Sequence, residues 1–133
     1  MRTFNLEIHT PERVFFSGGA ESLTVNAESG EMGVLYHTLP LVTILVGGVT
    51  RIKQDGKWME AACGEGFMAV TKEKTSIFTE SAFWPHEVDP DAVNGEIDGL
   101  DEKKRKAASL AEYRMAKAQL AIQFAKLKIK KRE

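Results

Sequence analysis

The sequence predicts an all-β N-terminal part, a sandwich or barrel of about nine or ten short strands, followed by a hairpin of two helices. Two observations lead to this prediction. Residues 1–84 show short alternating apolar runs separated by turn residues, whereas residues 85–133 show apolar positions at helical spacing. The charge pattern changes at the same place, because residues 87–102 hold seven acids and no base, and residues 103–132 carry a net charge of +10. We therefore expect two domains, 1–84 and 85–133.

The strand pattern is clearest in three places. Residues 4–8 and 22–26 alternate apolar with polar side chains, as a strand with one buried face does. Asp55-Gly56 separates two further alternating segments and accepts the positive φ angles of a two-residue hairpin turn. Gly64-Glu65-Gly66 matches the start of a dinucleotide-binding fingerprint, but the residues after it predict a strand rather than the helix that such a site requires. We expect a plain turn there.

The first helix has a capping signal and two weak points. Asp89 followed by Pro90 is typical of a helix start, because the carboxylate can accept from free amide groups and proline suits the first turn. Gly95 and Gly99 each cost about 1 kcal/mol relative to alanine inside a helix. We therefore expect this helix to be only marginally stable.

The second helix is predicted to begin at Ser109 and to run to about Lys130. Ser109 and Glu112 have the spacing of a capping box, and the residues that follow are strong helix formers. The two helices are expected to form an antiparallel hairpin that leans on the β domain. The predicted apolar stripe of the second helix consists of Leu110, Tyr113, Ala116, Leu120, Phe124 and Leu127.

The composition argues against several classes of function. The chain of 133 residues has a net charge of -1, so no global field attracts nucleic acid or anionic lipid. Cys63 is the single cysteine, so the chain cannot form an internal disulfide. We expect Cys63 to lie buried and to pack as a small hydrophobic residue. His9, His37 and His86 lack the short spacing of a helical metal site. No stretch of about 20 apolar residues predicts a membrane span. We expect no catalytic residue, metal or cofactor.

The basic second helix is the unusual feature of the sequence, and three interpretations stay open. A solvated face is the first, because charge runs often serve solubility. A cationic arm that docks on an acidic partner is the second, and a free-standing nucleic-acid-binding module is the third. The aromatic residues Tyr113 and Phe124 are predicted on the apolar stripe rather than among the bases, which disfavours binding of single-stranded nucleic acid.

Several blocks in fixed order carry a family resemblance. They are Leu6-Glu7-Ile8-His9-Thr10-Pro11-Glu12, Phe16-Ser17-Gly18, Gly30-Glu31-Met32-Gly33-Val34-Leu35 with Pro40-Leu41, Gly47-Gly48-Val49-Thr50-Arg51-Ile52, and Gly64-Glu65-Gly66-Phe67. Along essentially the whole chain they resemble the epsilon subunit of bacterial F-type ATP synthases. The resemblance implies β plus α structure, with an N-terminal ten-stranded β-sandwich followed by a C-terminal antiparallel two-helix hairpin.

The resemblance also implies a non-catalytic role without a cofactor in the central stalk, where the chain couples ion-driven rotation to ATP synthesis. One face of the sandwich would bind the gamma subunit, and Glu31, Gly33 and His37 would contact the rotor ring in the membrane. The chain would be peripheral, at the cytoplasmic face of the cell membrane, and would not bind nucleic acid. The hairpin would reach the catalytic beta and alpha subunits and inhibit hydrolysis through Lys126, Lys128, Lys130 and Lys131.

The chain departs from the family pattern in two places. The loop 36–39 lacks the usual proline, and its histidine stands one position early. Some members bind ATP between the helices, and of that motif this chain keeps Asp89. Ala92, Ile122 and Lys126 stand where those members have arginine. A triphosphate without guanidinium partners loses its main charge-assisted hydrogen bonds, so we expect little ATP binding.

Overall fold

The computed structural model describes residues 2–132, within which ten strands precede two helices. The predicted fold class is therefore confirmed. The helices are α1 (Pro90–Arg105) and α2 (Leu110–Lys131), and a 3-10 turn, Pro85–Glu87, leads into α1. The strands are β1 (Phe4–His9), β2 (Val14–Ala20), β3 (Ser22–Ala27), β4 (Gly30–Val34), β5 (Leu41–Leu45), β6 (Gly48–Gln54), β7 (Lys57–Cys63), β8 (Gly66–Val70), β9 (Thr75–Thr79) and β10 (Ala82–Phe83).

The strands form two layers that share one continuous ladder, in the order β10-β7-β6-β3-β5-β8-β9-β1-β2, with β4 also paired to β3. Strand β3 joins the layers, because residues 22–24 pair with β6 and Ala27 pairs with Leu45 of β5. Alternating side chains of both layers point inward and form the main core. Its largest fully buried members include Leu6, Ile8, Leu23, Ile52, Met68 and Ile77.

Two turns confirm local predictions. Asp55 and Gly56 have φ angles of 52° and 76°, as a two-residue turn with positive φ at both positions requires, and they join β6 to β7. Gly66 begins β8, so no helix follows the dinucleotide-like motif. A Cβ atom on Gly66 would lie 1.9 Å from the carbonyl oxygen of Phe78. The close approach of β9 is the reason for this glycine.

Both helices begin at the predicted residues. The Asp89 carboxylate accepts from the backbone N–H of Asp91 at 3.1 Å, and the Ser109 hydroxyl accepts from the N–H of Glu112 at 3.2 Å. The Glu112 carboxylate accepts in turn from Ala108 at 3.0 Å, one residue earlier than in a regular capping box. The caps satisfy backbone donors that a helix start leaves without partners.

The predicted apolar stripe of α2 is wrong in part. Leu110, Tyr113 and Phe124 are exposed, Leu127 is partly buried, and Ala116 and Leu120 are buried as predicted. The reason is that α2 contacts two surfaces, α1 on one side and strands β6 and β7 on the other. The contact with the sheet buries a second set of residues, which form an apolar cluster with Ala62, Val88 and Val93. That set consists of Ile122, Ala125 and Ile129.

Candidate interaction surfaces

The outer surface of the layer β5-β8-β9-β1-β2 carries a row of exposed apolar side chains, which we call the outer apolar face. Ile44 lies opposite Phe67, and Phe67 lies opposite Phe78. Across the next strands, Phe78 lies opposite His9 and His9 opposite Val14. The rings of Phe67 and Phe78 stack with centroids 5.1 Å apart. A contiguous apolar patch on a protein surface is typical of a protein–protein contact.

The exposure of these side chains follows from the strand pattern. Strand β5 reads Leu-Val-Thr-Ile-Leu, so it has apolar residues on both faces, and Val42 and Ile44 point away from the core. Val42 is 75% exposed and Ile44 is 60% exposed. The outer apolar face was not predicted from the sequence. A strand that is apolar on both faces nevertheless indicates that its outer surface is covered.

A polar group lies at the edge of the outer apolar face. His9 Nε2 lies 2.9 Å from Glu7 Oε1, and the Lys74 ammonium donates to the same oxygen at 3.3 Å. These hydrogen bonds, that of His9 first and that of Lys74 second, lower the pKa of Glu7 below its ordinary value. Glu7 therefore stays ionised beside the apolar row at neutral pH.

The residues that the resemblance assigns to the rotor ring lie on β4 and in the loop after it. Glu31 and Gly33 point away from the core on the same face of β4 and are exposed. His37 is exposed in the following loop, which Thr38 closes by accepting from the N–H of Leu35 at 2.9 Å. The tip of this loop is apolar, since Leu39 is 79% exposed.

The four lysines assigned to the inhibitory contact do not form one patch. Lys126 and Lys130 face the sandwich, where the Lys126 ammonium lies 3.9 Å from the centroid of the Phe83 ring and the Lys130 ammonium donates to the carbonyl of Pro85 at 3.4 Å. Burial lowers the pKa of Lys126, and the Glu96 carboxylate opposes that shift. The two other assigned lysines, Lys128 and Lys131, are exposed.

Two ion pairs hold the junction between the sandwich and the hairpin. Arg132 at the end of α2 donates to the Glu60 carboxylate of β7 at 2.6 Å. Arg13 donates to Glu87 in the 3-10 turn at 2.8 Å, and the same carboxylate oxygen accepts from the N–H of Trp84. The Arg13 guanidinium is the main cause of a lowered pKa at Glu87. Neither pair could be predicted from a local pattern, because each joins residues more than 70 positions apart.

The resemblance would put ATP between the helices. We call the cleft that α1 and α2 form with the segment 80–83 of the sandwich the cleft between the helices. It has a volume of about 490 Å³, and its charged lining consists of Glu80, Glu96, Lys103 and Lys126, with no arginine among the described residues that line it. Ile122 is buried beside this cleft. Asp89 serves as the cap of α1 and is not among the lining residues.

Three further features concern the thiol of Cys63, metal ligation and membrane-spanning helices. Cys63 is buried, and burial raises the pKa of its thiol to about 11, so it carries no thiolate at neutral pH. Within residues 2–132, no group of three or more His, Cys, Asp or Glu side chains is placed to hold a metal ion. No helix in this part of the chain is long and apolar enough to cross a membrane.

Comparison with known proteins decides the family. Residues 3–85 match the family described as ATP synthase, delta/epsilon chain, beta-sandwich domain. The chain belongs to this family. Two relatives named ATP synthase epsilon chain support it over nearly full length. That of Ruminiclostridium cellulolyticum is 39% identical over 96% of this chain and 95% of its own length. That of Caldanaerobacter subterraneus subsp. tengcongensis is 37% identical over 96% of this chain and 94% of its own.

Solved structures share the fold. One chain of the mitochondrial ATP synthase of Euglena gracilis, described as OSCP/F1/c-ring in rotational state 1, matches with a TM-score of 0.77 and 21% identity over 95% of this chain and 79% of that chain. A chain of the central stalk and c-ring of the Tetrahymena thermophila enzyme matches with a TM-score of 0.64 and 14% identity over 97% of both chains. The resemblance to epsilon subunits is confirmed.

The structure changes one argument about nucleic acid. Tyr113 and Phe124 are exposed, so their predicted burial no longer counts against stacking with single-stranded bases. Three of the cations of α2 are already engaged with the sandwich, namely Lys126, Lys130 and Arg132.

Proposed function

We propose that the chain is a non-catalytic central-stalk subunit of an F-type ATP synthase, that it couples ion-driven rotation to ATP synthesis, and that its hairpin restrains ATP hydrolysis. It would be peripheral to the cytoplasmic face of the membrane and held there by its partners. Residues 1–84 would fold alone and make the stalk contacts, and residues 85–133 would regulate. Membership of the delta/epsilon family supports the stalk role, and the observation that carries it is the outer apolar face.

The outer apolar face is proposed to bind the gamma subunit. It lies on the layer opposite to β6 and β7, on which α2 packs, so gamma and the hairpin would occupy different surfaces. An aspartate in the middle of an apolar interface is buried without a partner. We expect Ile44→Asp to weaken gamma binding at least about tenfold, because its carboxylate would lose water at the interface and gain no partner.

Titration of gamma with purified variants tests this contact. Met115→Asp is the matched control, since Met115 is 66% exposed and lies on α2. Unchanged gamma affinity of folded Ile44→Asp would refute the assignment of this face.

The rotor ring is proposed to contact β4 and the loop after it, through Glu31, Gly33, His37 and the apolar loop tip. Reversing the charge at Glu31 with Lys is expected to reduce ATP-driven ion pumping more than ATP hydrolysis, because the ring contact transmits rotation. Equal pumping per ATP in the variant and wild-type complexes would count against this contact.

The inhibitory role rests on competition for the same cations. In the structure, Lys126, Lys130 and Arg132 are engaged with Phe83, the Pro85 carbonyl and Glu60 of the sandwich. An extended hairpin would offer them to an acidic segment of a catalytic beta subunit instead, with complementary charge setting the register. Such rim contacts are worth only about 0.2–1 kcal/mol each, so these charge contacts by themselves do not lock the hairpin in the docked arrangement.

Variants that change only one arrangement test the inhibition. Lys128→Gln with Lys131→Gln removes two exposed cations, so an assembled complex should hydrolyse ATP faster at low salt. Glu60→Gln leaves every cation in place and removes the partner of Arg132, so it should favour extension and slow hydrolysis. Both differences should shrink as salt screens the contacts.

The reference for these rates is the complex with a chain ending at Trp84. Replacing Lys126, Lys128, Lys130 and Lys131 together with Gln should approach the rate of that truncation. If neither the truncation nor the fourfold variant changes hydrolysis by an intact complex, the hairpin is a solvated appendage and the inhibitory proposal is wrong.

A further inference from the structure

A second cleft lies on the side of α2 opposite to the cleft between the helices, where the helix faces the outer surface of β3, β4 and β6. We call it the basic cleft. It has a volume of about 360 Å³. Its charged lining consists of Arg51 of β6, Lys128 and Arg132 of the helix, and Glu31 of β4. The cleft between the helices has no arginine among its described lining residues. Arg51 and Arg132 line the basic cleft, on the other side of α2.

Two guanidinium groups of the basic cleft are held in place by neighbours. The Arg51 guanidinium lies 5.5 Å from the centroid of the Trp58 ring, and Arg132 is anchored by Glu60 at 2.6 Å. Arg51 Nε is buried and has no hydrogen-bond partner among the described residues. Buried donors are nearly always bonded, so this N–H is a donor still open to an acceptor from outside the chain.

The charge balance of the cleft is positive. Arg51, Lys128 and Arg132 outweigh Glu31 and the adjacent Glu60, which leaves one positive charge in excess. Arginine forks match the geometry of phosphate oxygens and are the preferred partners of such anions. The exposed Phe124 ring also lines the cleft and offers a flat apolar surface on which a base could stack.

We propose that the basic cleft binds a phosphate-class oxyanion, either a free phosphate or pyrophosphate or the phosphate groups of a nucleotide. The anion would bridge Arg51 on the sandwich and Lys128 on α2. Because it would bind only while both elements are in contact, it would stabilise the docked hairpin in proportion to its concentration. The binding of the anion by the isolated chain does not depend on the proposed role in ATP synthase, although Glu31 and Lys128 also belong to contacts proposed above. The basic cleft differs from the cleft in which family members place ATP.

Titration of the full-length chain with sodium pyrophosphate, phosphate and magnesium-free ATP at constant ionic strength tests the proposal by backbone amide NMR. We expect saturable shifts at Gly47, Gly48, Arg51 and Lys128. Tighter binding of ATP than of pyrophosphate, with shifts of the Phe124 ring, identifies a nucleotide. Equal affinities identify the phosphate groups alone. Both results support the site.

Variants locate the anion. Arg51→Gln and Lys128→Gln should each lower the affinity about tenfold, since hydrogen bonds to charged groups are the strong ones. Glu31→Gln should raise it by removing the lining carboxylate. Lys103→Gln is the matched control, because it removes a lysine from the other cleft and should leave the affinity within about twofold.

Three results would overturn the site. The first is that none of the three anions binds saturably up to millimolar concentration. The second is that the shifts centre on Gln119 and Gln123 and are abolished by Lys103→Gln, and the third is that Lys128→Gln leaves the affinity unchanged. The last variant keeps the proposal testable even if Arg51→Gln disturbs the sandwich, since Lys128 is exposed. None of these readouts depends on hydrolysis by an assembled complex.

Discussion

Replacing Ile129 by Ala tests how strongly the hairpin is held on the sandwich. Ile129 is 1% exposed and packs in the apolar cluster that α2 forms with Ala62 and Val88. The change removes three carbon groups at about 0.8 kcal/mol each, or about 2.4 kcal/mol in total. The cavity left behind brings the expected range to about 2–5 kcal/mol. Even a loss of about 2 kcal/mol shifts the balance between docked and undocked hairpin about 30-fold.

The two tryptophans provide the assay. Trp58 and Trp84 line one cleft together with Ile129. Trp58 is already 50% exposed, so undocking should shift the fluorescence to longer wavelength mainly through Trp84, which is partly buried. Amide exchange should become faster in α1 and α2 but not in the main core of the sandwich, because Ile129 belongs to the second cluster. Met115→Ala is the control, since this side chain is exposed and should change stability by less than about 0.5 kcal/mol.

The same substitution links docking to the proposed inhibition. If the undocked hairpin is the inhibitory form, the complex containing Ile129→Ala should hydrolyse ATP more slowly than wild type. Emission and exchange identical to those of wild type would refute the docking argument. Loss of exchange protection throughout the sandwich would refute the claim that the second cluster is separate from the main core.

Three further predictions concern the sandwich, the junction and the first helix. Gly66→Ala should lower the free energy of unfolding, measured with urea, by about 1–3 kcal/mol or more. The reason is that the alanine Cβ would lie 1.9 Å from the Phe78 carbonyl oxygen. Gly33→Ala, where a Cβ meets nothing within 4 Å, should stay within about 0.5 kcal/mol. Arg13 lowers the pKa of Glu87 in the folded chain, so the ionised carboxylate stabilises the fold at pH values above the ordinary pKa of a glutamate. This stabilisation is lost as the pH falls through the lowered pKa. The deficit of Glu87→Gln against wild type, at most about 1 kcal/mol at pH 7, should therefore shrink as the pH is lowered below the ordinary pKa of a glutamate, and a constant deficit would contradict the assignment. Amides of α1 should exchange faster than those in the middle of α2, because α1 has two interior glycines, and equal protection would contradict its predicted weakness.

Local chemistry explains which parts of the fold could be predicted from the sequence. The turn at Asp55 and Gly56, the helix starts at Asp89 and Ser109 and the strand that begins at Gly66 all depend on residues within a few positions of one another. Alternation and capping report such short-range preferences directly. The family resemblance likewise rested on short blocks in order.

The candidate surfaces were less predictable, because they depend on which elements come together. A period of 3.6 residues shows which side chains of α2 share a face, but not that α1 and the sheet would cover two faces and leave Phe124 exposed. Strand β5 is apolar on both faces, so alternation shows neither that Ile44 points away from the core nor whether another element covers it.

The sequence by itself determined an all-β part of about nine or ten strands, the two helices and the family, since these follow from neighbouring residues and from short ordered motifs. Only the tertiary structure placed Glu31 of β4 beside Lys128 and Arg132 of α2, and paired Arg132 with Glu60 across 72 positions. The physical reason is that both placements depend on the packing of α2 against the sheet. That packing is a balance of long-range contacts that no local pattern records.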